Sequence, residues 1–223
     1  MSPRHLPVVC AAVLLTVALS PAEASARPPL SLRLGYASQV STARAYDLVD
    51  DNDHLPLFRL GVGYAFPMQG ARLEVEGGFL SGGTSAPLFQ FDRAKLGLVG
   101  VEVGAAYRLR LGTYAEPYAQ ALVGYDRLSL DMGPLGQRVG QVSATALLGV
   151  SLVFPLNSYS AKAPSFLIDL GVGYGFRPTA RFDALAPRPP GEDEEEPIPS
   201  QTLRAGDLPL AGMAYRLQVG LRL

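Results

Sequence analysis

Charged residues recur in this chain at alternate positions inside runs that are otherwise apolar or small. Arg72, Glu74 and Glu76 stand two apart. Arg33, Arg59, Glu102, Arg108, Asp169, Arg216 and Arg222 hold the same kind of position in other runs. Opposite charges on one face can pair across an enclosed space, or they can line a path for ions. Unpaired charge in a narrow interior is costly, so pairing is the expected state and a plugged interior the preferred reading.

Other constellations carry less. His54 lies beside Asp50, Asp51 and Asp53, with Ser38 and Ser41 shortly before. Histidine, serine and an acid are the parts of nucleophilic catalysis. Proximity in a polar loop does not align a nucleophile with a base, so no catalytic residue is assigned and the chain is read as non-enzymatic. Clustered carboxylates, as in the acidic run 47–54, can hold Ca²⁺ through oxygen ligands. That run lacks the turn glycine and the closing glutamate of an EF-hand, and it reads as a solvated loop. Glu192 to Glu196 is flanked by Pro187, Pro189, Pro190, Pro197 and Pro199, a composition that stays extended. No metal site and no cofactor is expected. Gly61-Val-Gly63 and Gly171-Val-Gly173 lie inside strand-like runs with no helix following, so they are not phosphate loops.

The elements that carry the charges alternate with period two. Eight segments show this pattern, at about 31–39, 57–66, 71–80, 95–109, 114–126, 139–154, 165–176 and 210–223. One face of each is Leu, Val, Ile, Phe or Tyr. The other is Gly, Ala, Arg, Glu or Gln. Segment two sets Phe58, Leu60, Val62 and Tyr64 against Arg59, Gly61 and Gly63. Each segment is long enough to cross a bilayer as a tilted strand, which takes about 9–11 residues. Backbone groups in lipid must all be paired, so such strands have to close into a ring. Around Gly97, Gly100 and Pro117 the alternation is disturbed. A bulge near Gly100 would let Leu96 and Leu98 share a face with Val101 and Val103.

Connections after segments two, four and six are short or moderate. Those after segments one, three, five and seven are longer, at about 40–56, 81–94, 127–138 and 177–209. This is the asymmetry of short periplasmic turns and longer extracellular loops. The expected fold is all-β, an eight-stranded antiparallel up-and-down transmembrane β-barrel. Tyr36, Tyr64, Phe66, Phe79, Tyr107, Tyr125, Tyr174 and Phe176 fall towards segment ends, where interfacial girdles would lie.

The N-terminus sets the compartment. Arg4 and His5 precede an apolar stretch from Leu6 to Leu19, then Pro21 and Ala24-Ser25-Ala26. This is the layout of a secretory signal peptide over 1–26, too short to span a membrane as a helix. The single cysteine, Cys10, lies within it, so the mature barrel domain, 27–223, needs a source of stability other than disulfides. Removing 1–26 takes Arg4 and Glu23 from 19 basic and 20 acidic residues, leaving 18 against 19. That balance gives no case for nucleic-acid binding.

The final run, Tyr215-Arg-Leu-Gln-Val-Gly-Leu-Arg-Leu223, is hydrophobic at every second place to its last residue. Together with the eight-segment pattern, it resembles the small OmpA/OmpX-like outer-membrane barrels. The resemblance implies an exported protein in the outer membrane of a Gram-negative bacterium. Its implied partners are outer-membrane lipid and lipopolysaccharide, and the barrel assembly machinery during biogenesis. A monomer is implied. Tyr215, Leu217, Val219, Leu221 and Leu223 would form the C-terminal assembly signal, with Leu223 standing where an aromatic is usual. A stable cell-wall tether is not expected. Three functions are consistent with this much: a structural or surface-interaction barrel with a closed, charge-paired interior; a narrow diffusion channel; and a soluble lipocalin-like barrel binding an apolar ligand. The last would have to pack its whole apolar face inside a narrow lumen.

Overall fold

Strands that alternate apolar and small or polar residues can bury one face only by curling, and here they curl into a closed ring. In the computed structural model the long strands are β1 (Leu30–Val40), β2 (His54–Met68), β3 (Ala71–Pro87), β4 (Arg93–Leu109), β5 (Ala115–Met132), β6 (Leu135–Pro155), β7 (Ser165–Phe176) and β11 (Gly212–Arg222). Three short strands, β8 (Ala180–Phe182), β9 (Ala186–Pro187) and β10 (Gly206–Leu208), lie between β7 and β11. The structure describes residues 29–41, 53–87, 93–112, 114–133, 135–156, 163–182, 185–187 and 206–223. The predicted signal segment 1–26, the acidic residues 47–52 and the stretch 192–196 lie outside these.

Each long strand pairs antiparallel with its neighbour in sequence, and β11 pairs with β1 to complete the ring. A row of paired residues starting at Leu30 runs through Tyr64, Val75, Ala105, Ala121, Ala146, Tyr174 and Met213. Extended one step past Gln39↔Ala214, it returns to β1 at Val40, ten residues above its start. A stagger of this size on eight strands tilts them by roughly 40° and leaves an interior that side chains fill.

The outward faces are apolar and exposed. Leu60 is 52% accessible, Val101 57% and Leu148 66%. Outward-facing Tyr64, Phe66, Tyr107, Phe154 and Phe166 lie near the end that carries both termini of the barrel strands. Tyr36, Phe58, Tyr125, Tyr174 and Tyr215 lie higher on their strands. Aliphatic residues fill the band between these two aromatic levels. At the lower end β2 and β3 join through Gln69-Gly70, where Gly70 takes the left-handed φ of 70° that a tight reversal requires.

Three features depart from the sequence reading. First, β3 and β4 continue above the aromatic level to Pro87 and Arg93, so the connection expected at 81–94 shrinks to 88–92. Likewise β5 runs to Met132 and β6 starts at Leu135, which reduces the loop expected at 127–138 to a tight turn. Second, no bulge occurs at Gly100. The β3–β4 and β4–β5 registers run unbroken through it. Leu96 and Leu98 therefore point inward, each 1% exposed, instead of sharing the outer face with Val101 and Val103. Third, the stretch 177–209 contains β8, β9 and β10; β8 pairs with β10, and β9 pairs with the tip of β6.

One cause explains all three. Above the upper aromatics the strands keep period two, but their polarity reverses: Leu96, Leu98, Leu128 and Leu130 face in, while Lys95, Arg127 and Asp131 stand on the outer side. The inward leucines pack with Leu55, Leu57 and Leu80 and with Phe182, Leu185, Leu208 and Leu210. The result is an apolar core inside the upper mouth of the ring.

Candidate functional site: a charge-paired interior

The lower two thirds of the interior is ionic. Among the described residues, seven arginines and six carboxylates are buried in the barrel. They stack in layers because each inward position is two residues, one side-chain level, from the next.

The lowest layer joins β3, β5 and β11. The Arg72 guanidinium donates to Glu116, and Arg222 donates to the same carboxylate at 3.0 and 3.3 Å. Above it, Arg33 donates through Nη2 to both Glu74 oxygens at 2.8 Å and through Nε to Asp169 at 2.6 Å. Arg108 meets the other side of Glu74 at 2.5 Å, Glu76 at 2.9 Å and Asp169 at 3.6 Å. Ser31 donates to Glu74 at 2.5 Å, and the Arg108 guanidinium lies 4.5 Å from the Tyr118 ring centre. Two arginines and three carboxylates are thus interlocked with side chains 1–3% exposed.

The third layer links β2, β4 and β11. Arg59 donates to Glu102 and lies 3.5 Å from Glu76, and it donates to Gln218 at 3.2 Å. Arg216 reaches Glu102 at 3.2 Å and Gln120 at 2.8 Å, while Gln120 donates to Glu76 at 2.7 Å. The highest pair is Arg177 to Asp126 at 2.7 Å, immediately under the apolar core. A cavity of about 20 Å³ bordered by Gln39, Leu57, Leu80 and Arg216 lies between the two storeys, room for about one water.

Glycines make this packing possible. A Cβ built at Gly61 would sit 2.5 Å from Arg59 Nη1, and one at Gly78 2.9 Å from Arg59 Nη2. The guanidinium lies flat over both bare backbones. Gly78→Val is expected to cost about 1–3 kcal/mol, because Arg59 is held by Glu102 and cannot step aside. The midpoint of urea unfolding in detergent micelles measures it; an unchanged midpoint would show that Arg59 has room to move.

The structure buries all ten charged residues singled out in the sequence inside the ring; eight of them are joined by ion pairs, while Arg72 and Arg222 meet at Glu116 below. It also adds three. Glu116 and Asp126 share the inward parity of Tyr118, Gln120 and Gly124, a signal that was present in the sequence. Arg177 lies one residue past β7, in what read as loop. His54 Nδ1 lies 3.4 Å from Ser38 Oγ, so two parts of the conjectured constellation do meet. Ser38 is only 5% exposed, and among the described residues no carboxylate bonds the ring; Asp50 and Asp51 lie outside them. The interior expected to be polar throughout is polar only below; its upper storey is apolar.

Polar groups enclosed by an apolar, exposed outer wall invert the arrangement of a water-soluble barrel and match the requirement of a membrane-spanning one. A family model described as an outer membrane protein beta-barrel domain matches residues 9–186. The chain belongs to this family. It is an outer-membrane β-barrel protein of the Gram-negative type. Two solved structures are similar to this outer-membrane barrel. Neisserial surface protein A (NspA) is 16% identical, with 87% of this chain and 96% of that chain covered and a TM-score of 0.47. Ail, the attachment invasion locus protein of Yersinia pestis, is 16% identical, with 88% and 99% covered and a TM-score of 0.46. Comparison with curated proteins yields no match.

Proposed function

We propose that this outer-membrane barrel serves a structural or surface-interaction role with a closed, charge-paired interior, and that it is not an enzyme. The observation that carries the reading is the double filling of the lumen. Three ionic layers cross it from wall to wall, and an apolar core closes the mouth above them. An ion moving through would have to displace Arg33, Arg59 and Arg108, each paired with more than one carboxylate, and then enter a leucine-lined space. Outer-membrane lipid and lipopolysaccharide surround the apolar belt in this reading, and the barrel stands as a monomer. Tyr215, Leu217, Val219 and Leu221, outward on β11, and the exposed Leu223 that follows it are the signal read by the assembly machinery.

Planar-bilayer recording tests the closed interior. The purified barrel is expected to give no steady ohmic steps. Regular steps at each insertion would overturn this reading in favour of the narrow diffusion channel, for which the same buried charges would line the path. A lipocalin-like soluble barrel has no support from the arrangement of faces, because the apolar residues are on the outside.

A further inference from the structure

We propose that the β8–β10 hairpin is a hinged lid over the upper mouth of the barrel, and that Gln39 is the latch that holds it down. The inference rests on the closed ionic interior and leaves it in place. Only the apolar storey above Asp126 opens and shuts.

The hinge follows from the sequence. β7 and β11 pair as far as Gly175↔Gly212, and pairing resumes between β8 and β10 at Ala180↔Leu208. The rising chain has four residues between these pairs and the returning chain three. Each of these segments holds a proline, Pro178 and Pro209, which has no N–H to give to a ladder. Residues 177–179 and 209–211 accordingly belong to no strand. The ladder of β3 with β4 has no such break, and it continues upward to Pro87 and Arg93. The β8–β10 hairpin instead folds over the mouth and sets Phe182 and Leu208 on the leucines.

Beyond the break the lid is lightly held. Its own ladder has three residue pairs where β4–β5 has fifteen, and β9 adds two pairs at the tip of β6. Elements with so little pairing are the first to open locally. The fasteners are ring side chains acting on the two roots of the hairpin. Asp126 accepts from Arg177 Nε at 2.7 Å, and Ser41 Oγ donates to the Pro209 carbonyl at 2.9 Å. Gln39 joins both roots. Its Nε2 donates to the Gly175 carbonyl at 2.9 Å, at the foot of the rising chain, and to the Leu210 carbonyl on the returning one. The amide lies flat on Gly175, where a Cβ would stand 2.9 Å from it. With the lid down, exposed Arg181 and Asp207 face outward from the closed end. With it raised, Leu96, Leu98, Leu128 and Leu130 line a cup open to the outside. The extracellular end thus has a polar and an apolar state, with the ionic layers unchanged in both.

Single cysteines and a charged, water-soluble maleimide test this on the barrel folded in detergent micelles. Leu98→Cys reports the cup and Ala106→Cys the ionic storey, both fully buried positions. The unsubstituted barrel, whose sequence has only Cys10, in the predicted signal segment, is the blank. Faster unheated than boiled migration on a gel shows that each variant is folded. Leu98→Cys is expected to be labelled faster than Ala106→Cys. Adding Gln39→Leu is expected to speed labelling of Leu98→Cys at least about tenfold, the effect of losing two neutral hydrogen bonds together. Adding Ser41→Ala, which frees one carbonyl of the returning root, is expected to speed it about threefold. Ala106→Cys should stay unlabelled in both backgrounds. Unchanged labelling of Leu98→Cys with Gln39→Leu and with Ser41→Ala overturns the proposal. Parallel acceleration at Ala106→Cys overturns it too, because the whole ring would then be loosening. Labelling of Ala106→Cys in a folded barrel with Gln39 intact would instead sink the closed interior, which separates the two.

Discussion

Replacing Glu74 by glutamine is expected to destabilise the barrel by about 3–5 kcal/mol, the cost of leaving buried charge without its partner. Glu74 is the hinge of the middle ionic layer. Both of its oxygens accept from Nη2 of Arg33, Arg108 lies against one of them at 2.5 Å, and its side chain is 1% exposed. Glutamine keeps the shape but offers an amide nitrogen to a guanidinium, which repels it. Unfolding in urea from detergent micelles, followed by the loss of fast gel migration, measures the change. The double replacement Glu74→Leu with Arg108→Met removes a charge of each sign, and it should recover a substantial part of the loss. Recovery separates uncompensated charge from a mere packing defect. An unchanged midpoint for the glutamine variant would mean that water reaches this layer and that the interior is not closed. The exposed pair of Arg181 and Asp207, 3.9 Å apart on β8 and β10, is the control: Asp207→Asn should move the midpoint little.

The second large effect is on the opposite face. Val103→Arg should cost roughly 2–4 kcal/mol in a lipid bilayer, the range for arginine at mid-depth on the lipid side of a barrel. Val103 is 54% accessible in the protein alone and lies on β4 between the two aromatic levels. In a water-soluble protein the same replacement of an exposed valine would be close to neutral. The two contexts thus differ in the size of the expected effect, and folding into lipid vesicles against urea decides between them. Arginine is already tolerated on the outer faces of β5 and β6 at positions 127 and 138, above Tyr125 and Val142. The same residue type should therefore change from harmless to costly over a few strand positions.

Most of the wall was legible in the sequence because period two is a direct image of two faces. The runs around Leu60, Val75, Leu170 and Leu217 each showed it without ambiguity. Pairing order followed, since sequential strands joined by short turns have few alternatives. The inward charges were legible for the same reason. Glu116 escaped only because Pro117 obscured the parity of its segment, and Arg177 because the strand pattern had ended. The upper storey was not legible. There the inward residues are leucines and the outward ones are polar, so the rule that apolar means lipid-facing returns the wrong face for Leu96, Leu98, Leu128 and Leu130. That rule holds only between the aromatic levels, and nothing local in the sequence states where the membrane ends. The cap formed by Phe182, Leu185, Leu208 and Leu210 is also tertiary in origin, since two short strands separated by a long stretch must meet over the mouth.

The ionic layers couple parts of the chain that are far apart in sequence. Arg33 and Asp169 are 136 positions apart, and Arg59 and Gln218 are 159 apart. Neighbouring hairpins can zip up early, because their turns are short and their closure entropy is small. The bonds of Arg33 and Arg59 to the last strands cannot form until β11 has docked on β1. An unfinished ring therefore carries arginines and carboxylates without their full set of partners, and the final strand pairing satisfies them together. Completion of the barrel is thereby made nearly all-or-none: the interior penalises every nearly closed intermediate, and the assembled cylinder gains little by opening a single seam.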